Sequence, residues 1–335
     1  MKVLVTGGLG FIGSHLVDLL ISKNHEVVIL DSKISNVINT DDRCPIWTQS
    51  VEEVDLSPFY KESRNLSPFE IIFHLASVVG PAGVLGHGSI GSSIINNTAK
   101  LVDYCAINQS LFVDISTSEI YGHTGLLNED SDKICSGEYQ FRTEYGMAKL
   151  LAEIMIVNRA KIAGLRYQII RPFNVAGPRQ LPDGGFVLPR FIIAMLTNQP
   201  ITIFGDGAQM RAFTDVRDIC GAIAKIAFSK YENEIWNVGN PANEMSIKQL
   251  AKKIGKGRII HINPNKLHGP LFAEAKDKIP YIKKINKLLN WKPEITLNKT
   301  LLDTINYWVK KINDGYYFDV CNGKDIAQLL QKERE

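Results

Sequence analysis

The sequence "VTGGLGFIGSHL", residues 5–16, places four glycines between positions 7 and 13. Glycine weakens both strands and helices, so this density needs a local reason. The run before it, "KVLVT" (2–6), is typical of a short buried strand, and Leu16, Leu19 and Leu20 after it recur at helical spacing. A strand, a glycine-rich turn and a helix in this order favour a phosphate-binding turn over an ordinary flexible loop.

The spacing of the glycines indicates which kind of phosphate ligand binds at the turn. Gly7, Gly10 and Gly13 form G-x-x-G-x-x-G, a variant of the dinucleotide fingerprint. The first glycine allows the turn, the second allows close approach to a pyrophosphate, and the third lets helix and strand pack closely. We expect Phe11 and Ile12 at the helix start to contact the cofactor together with these glycines, since the first N–H groups of a helix face bound phosphates.

An acidic residue at the end of the second predicted strand indicates which dinucleotide binds. Residues 26–30 read as a strand and are followed by Asp31, 18 residues after Gly13. A carboxylate near that spacing can accept a hydrogen bond from the adenosine ribose 2′-hydroxyl. The same charge repels a 2′-phosphate, so the sequence predicts NAD and not NADP. The alternative is that Asp31 is a loop acid with no role in binding.

The order of predicted elements gives the fold class. Strands and helices alternate through the first half, which predicts an α/β fold with a doubly wound parallel sheet of the Rossmann type. We expect the NAD-binding domain to span residues 1–172, with 213–240 returning to it. A smaller, interleaved α/β substrate domain covers 173–335. Residues 172–212 are rich in Pro and Gly, and we expect them to form irregular segments around a ligand.

Composition excludes several other classes of protein. The 335 residues are 45% hydrophobic and 22% charged, with a net charge of +3. The lysines late in the chain alternate with acids and apolar residues, so we expect no nucleic-acid partner. Five scattered cysteines without C-x-x-C spacing favour neither a disulfide framework nor a metal site, and fit a reducing cytoplasm. No apolar run approaches the length of a membrane span, so we expect no membrane partner.

The segment "EYGMAKLLAE" (144–153) carries the sharpest chemical signal. Tyr145 and Lys149 are four residues apart on a predicted helix, so they share one face. An ammonium nearby, together with the positive nicotinamide of a bound cofactor, favours the phenolate over the phenol. Tyr145 could then take a proton from a sugar hydroxyl while NAD takes a hydride from the same carbon.

With these motifs the chain resembles the extended short-chain dehydrogenase/reductase family, the NAD-dependent nucleotide-sugar epimerases and dehydratases. The resemblance covers nearly the whole length. It rests on "TGGLGFIGSHL" (6–16), "HLAS" (74–77), "STSEIYG" (116–122), "YGMAK" (145–149), "RPFNVAGPR" (171–179), "FGDGAQMRAFTDVRD" (204–218) and "LLNWKPEITL" (288–297).

The resemblance implies roles for further residues. Thr117 is expected to hydrogen-bond the reacting hydroxyl and so to join Glu119, Tyr145 and Lys149 as a catalytic residue. Asp55, Leu75 and Ala76 are expected to border the cofactor. The substrate is expected to contact Ser118, Asn174, Arg211 and Lys278, and of these Asn174 and Arg211 hold the diphosphate. The family also implies a homodimer, through a four-helix interface built from the helices predicted at 92–107 and 145–163.

Glu119 bears on which reaction follows oxidation of the sugar at C4. Family 4-epimerases often lack an acid at this position, whereas dehydratases and decarboxylases usually have Glu, so we favour a lyase. Two departures weaken that choice: Lys278 stands where decarboxylase relatives carry Arg, and Ser118 where thymidine-linked dehydratases carry Asp. A 4-epimerase is the first alternative. A non-catalytic NAD-binding regulator is a remote one, since such a protein would be expected to lose the Tyr145–Lys149 pair.

Overall fold

A computed structural model describes residues 1–32, 44–63, 66–80, 88–122, 125–135, 140–182, 184–255, 257–263 and 277–315. The end of the predicted substrate domain, residues 316–335, lies outside the described residues, as does most of the glycine-rich stretch that follows Gly80.

The described residues contain strands and helices in the alternating order that the sequence predicts. The strands are β1 Lys2–Thr6, β2 Glu26–Leu30, β3 Ile46–Trp47, β4 Ile71–His74, β5 Leu111–Ile115, β6 Leu126–Leu127, β7 Arg166–Pro172, β8 Val175–Ala176, β9 Ile201–Phe204, β10 Met210–Ala212, β11 Thr214–Asp215, β12 Glu234–Val238, β13 Glu244–Ser246, β14 Ile259–Ile262 and β15 Ile279–Pro280. The helices are α1 Phe11–Ser22, α2 Ile90–Asn108, α3 Phe141–Ala163, α4 Val187–Leu196, α5 Val216–Ala227, α6 Ile247–Ile254, α7 Lys283–Leu289 and α8 Leu297–Asn313.

Seven parallel strands form the main sheet, in the order β12-β7-β5-β4-β1-β2-β3. Its central strands β1, β4 and β5 are buried on both faces, as expected for a parallel sheet that helices cover on both sides. On one face α1 and α5 pack through residues such as Leu16 and Ile219. On the other face α2 and α3 pack through residues such as Leu101 and Ile156. The doubly wound Rossmann fold predicted from the sequence is confirmed.

The strand order places the predicted motifs at one edge of this sheet. In the sheet, β2 lies on one side of β1 and β4 lies on the other. The connections between strands therefore diverge between β1 and β4. Ligands of open parallel sheets bind at such a point, beyond the carboxyl ends of the strands. The glycine turn follows β1, Leu75 and Ala76 follow β4, and Thr117 follows β5, so these segments meet at the same edge.

The second half of the chain interleaves with the first. Strand β12 pairs with β7 in the main sheet, from Glu234 beside Gln168 to Val238 beside Pro172. Helix α5 packs beside α1 in the same core. Strand β9 pairs with β14, and α4, α6 and α8 share a separate apolar core with them. This arrangement agrees with a returning segment, while the exact domain boundaries stay a prediction.

The expectation of irregular segments in residues 172–212 is wrong in part. Helix α4 occupies Val187–Leu196, and its residues Leu188, Phe191 and Ile192 are buried at helical spacing. Pro189 lies within its first turn, where a proline removes only an N–H that has no partner in the helix. The proline and glycine content of the region concealed this periodicity.

In the described part of the chain no helix is both long and apolar enough to cross a bilayer. The cytoplasmic location inferred from the cysteine pattern stays a prediction.

Candidate active site

The turn after β1 is shaped so that its key positions accept only glycine. Gly7 has a φ of +70°, and a Cβ on it would lie 2.8 Å from the backbone nitrogen of Ala76. A Cβ on Gly13 would lie 2.0 Å from the carbonyl oxygen of Gly7, so α1 could not pack against the turn. Helix α1 begins after Gly10 with no side chain capping its first N–H groups. These N–H groups, around Phe11 and Ile12, are therefore available to a phosphate.

Asp31 lies next to this turn and is hydrogen-bonded to it. The Leu9 N–H donates to Oδ2 of Asp31 at 3.0 Å, and the Asp31 N–H donates to the Trp47 carbonyl at 3.1 Å. These bonds fix the carboxylate at the end of β2, beside the glycine turn. The glycine turn, the uncapped helix start and this carboxylate together fit the pyrophosphate and the adenosine ribose of NAD.

Three other residues are predicted to contact the cofactor: Leu75 and Ala76 lie against the glycine turn, whereas Asp55 is exposed. The Leu75 and Ala76 N–H groups donate to the Thr6 carbonyl and to Thr6 Oγ1, at 3.0 and 3.2 Å, which brings this segment against Gly7. Asp55 is exposed, and its Oδ1 accepts from the Ser57 N–H at 2.8 Å. Contact between Asp55 and the cofactor stays a prediction.

Helix α3 presents the predicted catalytic pair to the end of β5. Lys149 is 2% exposed, and its Nζ donates to the Ile115 carbonyl at 2.8 Å. The phenol of Tyr145 is packed among apolar residues of α2 and α3 that include Ile90, Ile94 and Ala152. Burial raises the pKa of Tyr145 well above its ordinary value, the charge of Glu119 raises it further, and a hydrogen bond with Thr117 opposes the shift. Thr117 and Tyr145 are therefore in contact, and forming the phenolate requires positive charge at this site.

Glu119 is ion-paired with two cations. Its Oε2 lies 2.6 Å from Nζ of Lys278 and 2.8 Å from Nη1 of Arg142. Burial alone would raise the pKa of Glu119, but Lys278 and then Arg142 outweigh it and lower that pKa to about 2. Glu119 is therefore ionised at every physiological pH.

Helix α3 can approach the Glu119 turn closely because position 146 is glycine. A Cβ on Gly146 would lie 3.3 Å from the Glu119 carbonyl oxygen, which is tighter than an ordinary contact. The turn itself is a 3₁₀ segment, Ser118–Tyr121, whose first N–H groups are capped by Thr117: the Glu119 N–H donates to Thr117 Oγ1 at 3.2 Å. Ser118 is 5% exposed within this turn, and its contact with substrate stays a prediction.

The two residues predicted to bind the diphosphate, Asn174 and Arg211, lie beside Lys278. Arg211 on β10 and Lys278 form a parallel bridge, and the Arg211 charge also helps to lower the pKa of Glu119. Asn174 adopts a positive φ of 40°, and its Nδ2 donates to the carbonyls of Lys278 and Ala212 at 3.3 and 3.4 Å. The structure thus brings Asn174, Arg211, Lys278 and Glu119 into one cluster, and their binding roles stay predictions.

Sequence reasoning missed Arg142 and a buried polar network behind the site. Arg142 precedes Tyr145 by three residues, and that spacing on one helix face was the available signal. In the network, Arg171 on β7 donates to both carboxylate oxygens of Glu153, at 3.0 and 2.6 Å. Ser116 Oγ donates to Oε1 of Glu153 at 2.5 Å. This network ties the end of β5 to α3 directly behind Thr117.

Known proteins are similar to this chain in sequence and in fold. The family model for the NAD dependent epimerase/dehydratase family matches residues 3–239. UDP-N-acetyl-alpha-D-glucosaminuronate decarboxylase of Bacillus cytotoxicus is 29% identical over 324 residues, which cover 93% of this chain and 99% of that protein. UDP-glucose 4-epimerase of Thermotoga maritima, solved with UDP-glucose, has a TM-score of 0.80 at 28% identity, covering 93% of this chain and 100% of that chain. UDP-glucuronic acid 4-epimerase of Bacillus cereus, solved with UDP-glucuronic acid and NAD, has a TM-score of 0.79 at 28% identity, covering 92% and 99%.

These similarities agree with the chemistry of the site, which retains the Tyr145–Lys149 pair that a non-catalytic relative would be expected to lose. Because the family model covers more than half of the sequence, this protein belongs to the NAD-dependent epimerase/dehydratase family and is an enzyme that uses NAD.

Proposed function

We propose that this enzyme is a lyase that decarboxylates a nucleotide-linked uronic acid through a transient 4-keto intermediate. The observation that carries the proposal is the pairing of Glu119 with Lys278 at 2.6 Å and with Arg142 at 2.8 Å. It supports a decarboxylase over a dehydratase for two reasons, one of charge and one of protonation.

The first reason is the concentration of positive charge around Glu119. Arg142, Lys278 and Arg211 all act on its carboxylate and lower its pKa. Lys278 and Arg211 are 6% and 8% exposed, and a cation in such surroundings attracts an anion more strongly than an exposed cation does. Arg211 suits the diphosphate of the substrate, and Lys278 with Arg142 suits a second anion, the C6 carboxylate of a uronic acid.

The second reason is the protonation state of the two closest groups. A 4,6-dehydratase needs a base for the C5 hydrogen and an acid for the leaving C6 hydroxyl. A carboxylate with a pKa of about 2 is a weak base and is not protonated at neutral pH, so Glu119 fits neither task well. Lys278 is suited to the role of proton donor, because burial lowers its pKa to about 8.

The reaction then follows from the residues present. When bound, NAD supplies the acceptor for the C4 hydride and returns that hydride at the end. Tyr145 accepts the C4 hydroxyl proton, and Thr117 orients that hydroxyl. The 4-keto group receives the electron pair of the C5–C6 bond as carbon dioxide leaves. Lys278 donates a proton to C5 of the resulting enolate, and Tyr145 later returns its proton to O4, while Glu119 positions Lys278 and Arg142.

A 4-epimerase remains the alternative, and a specific observation favours it. The Bacillus cereus relative described above is a 4-epimerase solved with UDP-glucuronic acid, so binding of a uronic acid does not by itself require decarboxylation. In an epimerase the cation cluster would hold the carboxylate while C4 inverts and C6 is retained.

Mass spectrometry of the products distinguishes these functions. The enzyme would be incubated with UDP-glucuronate, UDP-N-acetylglucosaminuronate and UDP-glucose. We expect loss of carbon dioxide from at least one of the two acids and no change in UDP-glucose. Lys278→Met should lower that rate by about 10²–10⁴-fold, the usual range for a proton-transfer group. The control Lys299→Met, which removes an exposed lysine paired with Asp303, should retain that rate. A product with C4 inverted and C6 retained would refute the lyase and support the epimerase.

We further propose that the protein is a homodimer. Met147, Leu151 and Ile154 form an apolar stripe along α3 and are 42%, 44% and 47% exposed. An exposed apolar stripe at helical spacing is suited to pairing with the same stripe of a second copy. Sedimentation velocity at micromolar concentration should show a dimer, and Leu151→Glu should convert it to a monomer. Leu302→Glu, at an exposed position of α8, is the matched control, and a monomeric native protein would contradict the proposal.

A further inference from the structure

Asp114 is a buried acid that the proposed reaction does not use. It lies on β5 three residues before Thr117 and is 0% exposed. Within the described part of the chain, neither of its carboxyl oxygens has a hydrogen-bond partner. Burying a carboxyl group without hydrogen bonds is costly, so a compensating interaction is expected nearby.

The position of Asp114 in the sheet shows which groups surround it. Side chains alternate along a strand, so Asp114 faces the same side as Phe112 and Ser116, toward α3. Helix α3 presents Tyr145, Lys149 and Glu153 on one stripe, four residues apart. His74 is the register neighbour of Asp114 on β4.

Within the described part of the chain, the ammonium of Lys149 is in no ion pair, unlike the guanidinium of Arg171. Glu153 is already paired with Arg171, which donates to both of its oxygens. Burial lowers the pKa of His74 to about 3, so this imidazole is neutral. Lys149 donates to the carbonyl of Ile115, the residue next to Asp114. Asp114 is therefore the carboxyl group left to balance the Lys149 ammonium.

We infer that Asp114 is the buried counter-ion of Lys149 and a positioning residue that controls the protonation of Tyr145. Burial raises the pKa of the Asp114 carboxyl to about 6, Lys149 lowers it, and Glu153 raises it, so Asp114 is ionised above about pH 6. In that state its negative charge raises the pKa of Tyr145. Asp114 thus balances the charge of the ammonium and opposes premature formation of the phenolate.

The first test measures the titration of Tyr145 without any substrate. Tyrosinate absorbance is followed against pH in NAD-loaded protein, and the spectrum of Tyr145→Phe is subtracted to isolate the Tyr145 signal. Asp114→Asn should lower the Tyr145 midpoint by about one pH unit, the order of magnitude by which one nearby charge shifts a pKa. Asp218→Asn removes another acid with low exposure, at the start of α5, and should leave the midpoint unchanged. An unchanged midpoint in Asp114→Asn would overturn the inference.

The second test separates a counter-ion from a merely structural residue. Asp114→Asn is made both in the native protein and in Lys149→Met, and urea unfolding is measured for all four proteins. We expect the substitution to destabilise the native protein and to stabilise Lys149→Met, in which Asp114 has lost its cation. The same sign in both backgrounds would contradict the pairing. Neither measurement needs a sugar nucleotide, so both results are independent of the proposed decarboxylation.

Discussion

Replacing Glu119 by Gln is the most informative single change, because the structure determines both how much stability is lost and how that loss depends on pH. The pKa of Glu119 falls from an ordinary value of 4.5 to about 2, which corresponds to about 3 kcal/mol of stabilisation in the folded state. The side chain is 24% exposed, so solvent screens this pairing only in part. Glu119→Gln should therefore lower the free energy of unfolding by about 3 kcal/mol at pH 7, since it leaves Lys278 and Arg142 without their carboxylate.

The sign of the pH dependence follows from the direction of the shift. A carboxyl group whose pKa is lower in the folded state stabilises the protein above its unfolded pKa. That contribution is lost as pH falls from about 4.5 toward 2. Urea unfolding at several pH values should therefore show a gap between native protein and Glu119→Gln that closes as the solution becomes acidic.

An exposed ion pair with the same closest distance provides a control. Arg166 and Glu232 also approach to 2.6 Å, but both side chains are 46% exposed. Glu232→Gln should cost less than about 1 kcal/mol, as exposed ion pairs usually do. If Glu119→Gln costs no more than this control, or if its gap persists at low pH, the charge argument for the cluster is wrong.

Three further outcomes are expected. Asp31→Ala should weaken NAD relative to NADP, because the carboxylate held by the Leu9 N–H would no longer meet the ribose; competitive binding of the two cofactors measures this, and an unchanged ratio would remove Asp31 from the site. Tyr145→Phe should slow cofactor reduction by about 10²–10⁴-fold while NAD still binds, as followed by the absorbance of reduced nicotinamide; near-native reduction would exclude Tyr145 as the base. Gly13→Ala should abolish NAD binding measured by calorimetry, since its Cβ would lie 2.0 Å from the Gly7 carbonyl oxygen, and a native dissociation constant would contradict the packing.

The cofactor half of the site could be predicted from the sequence because its determinants are local. The turn between β1 and α1 needs glycine at fixed positions, and Asp31 follows the next strand directly. Tyr145 and Lys149 share a helix face through their spacing alone. Each of these signals lies within one or two consecutive elements, where strand and helix periodicity determine what meets.

The substrate half depends on contacts that no local pattern specifies. Lys278 reaches Glu119 because two-residue strands, β6 and β15, pair across a long separation in sequence. Glu119 could be singled out by its position after Thr117, and Lys278 by the resemblance, but the pairing of Glu119 with Lys278 and Arg142 could not. The ionisation of Glu119, and hence the choice between acid, base and positioning roles, follows from that distant pairing.

The return of β12 to the main sheet has a consequence for attempts to divide the chain. In a fragment ending near Pro172, β7 would become an outer strand with unpaired backbone N–H and C=O groups. Gln168 would also lose the indole of Trp236, whose Nε1 donates to its Oε1 at 2.7 Å. Exposed strand edges next to apolar residues recruit other chains, so such a fragment would aggregate instead of folding as an isolated NAD-binding unit.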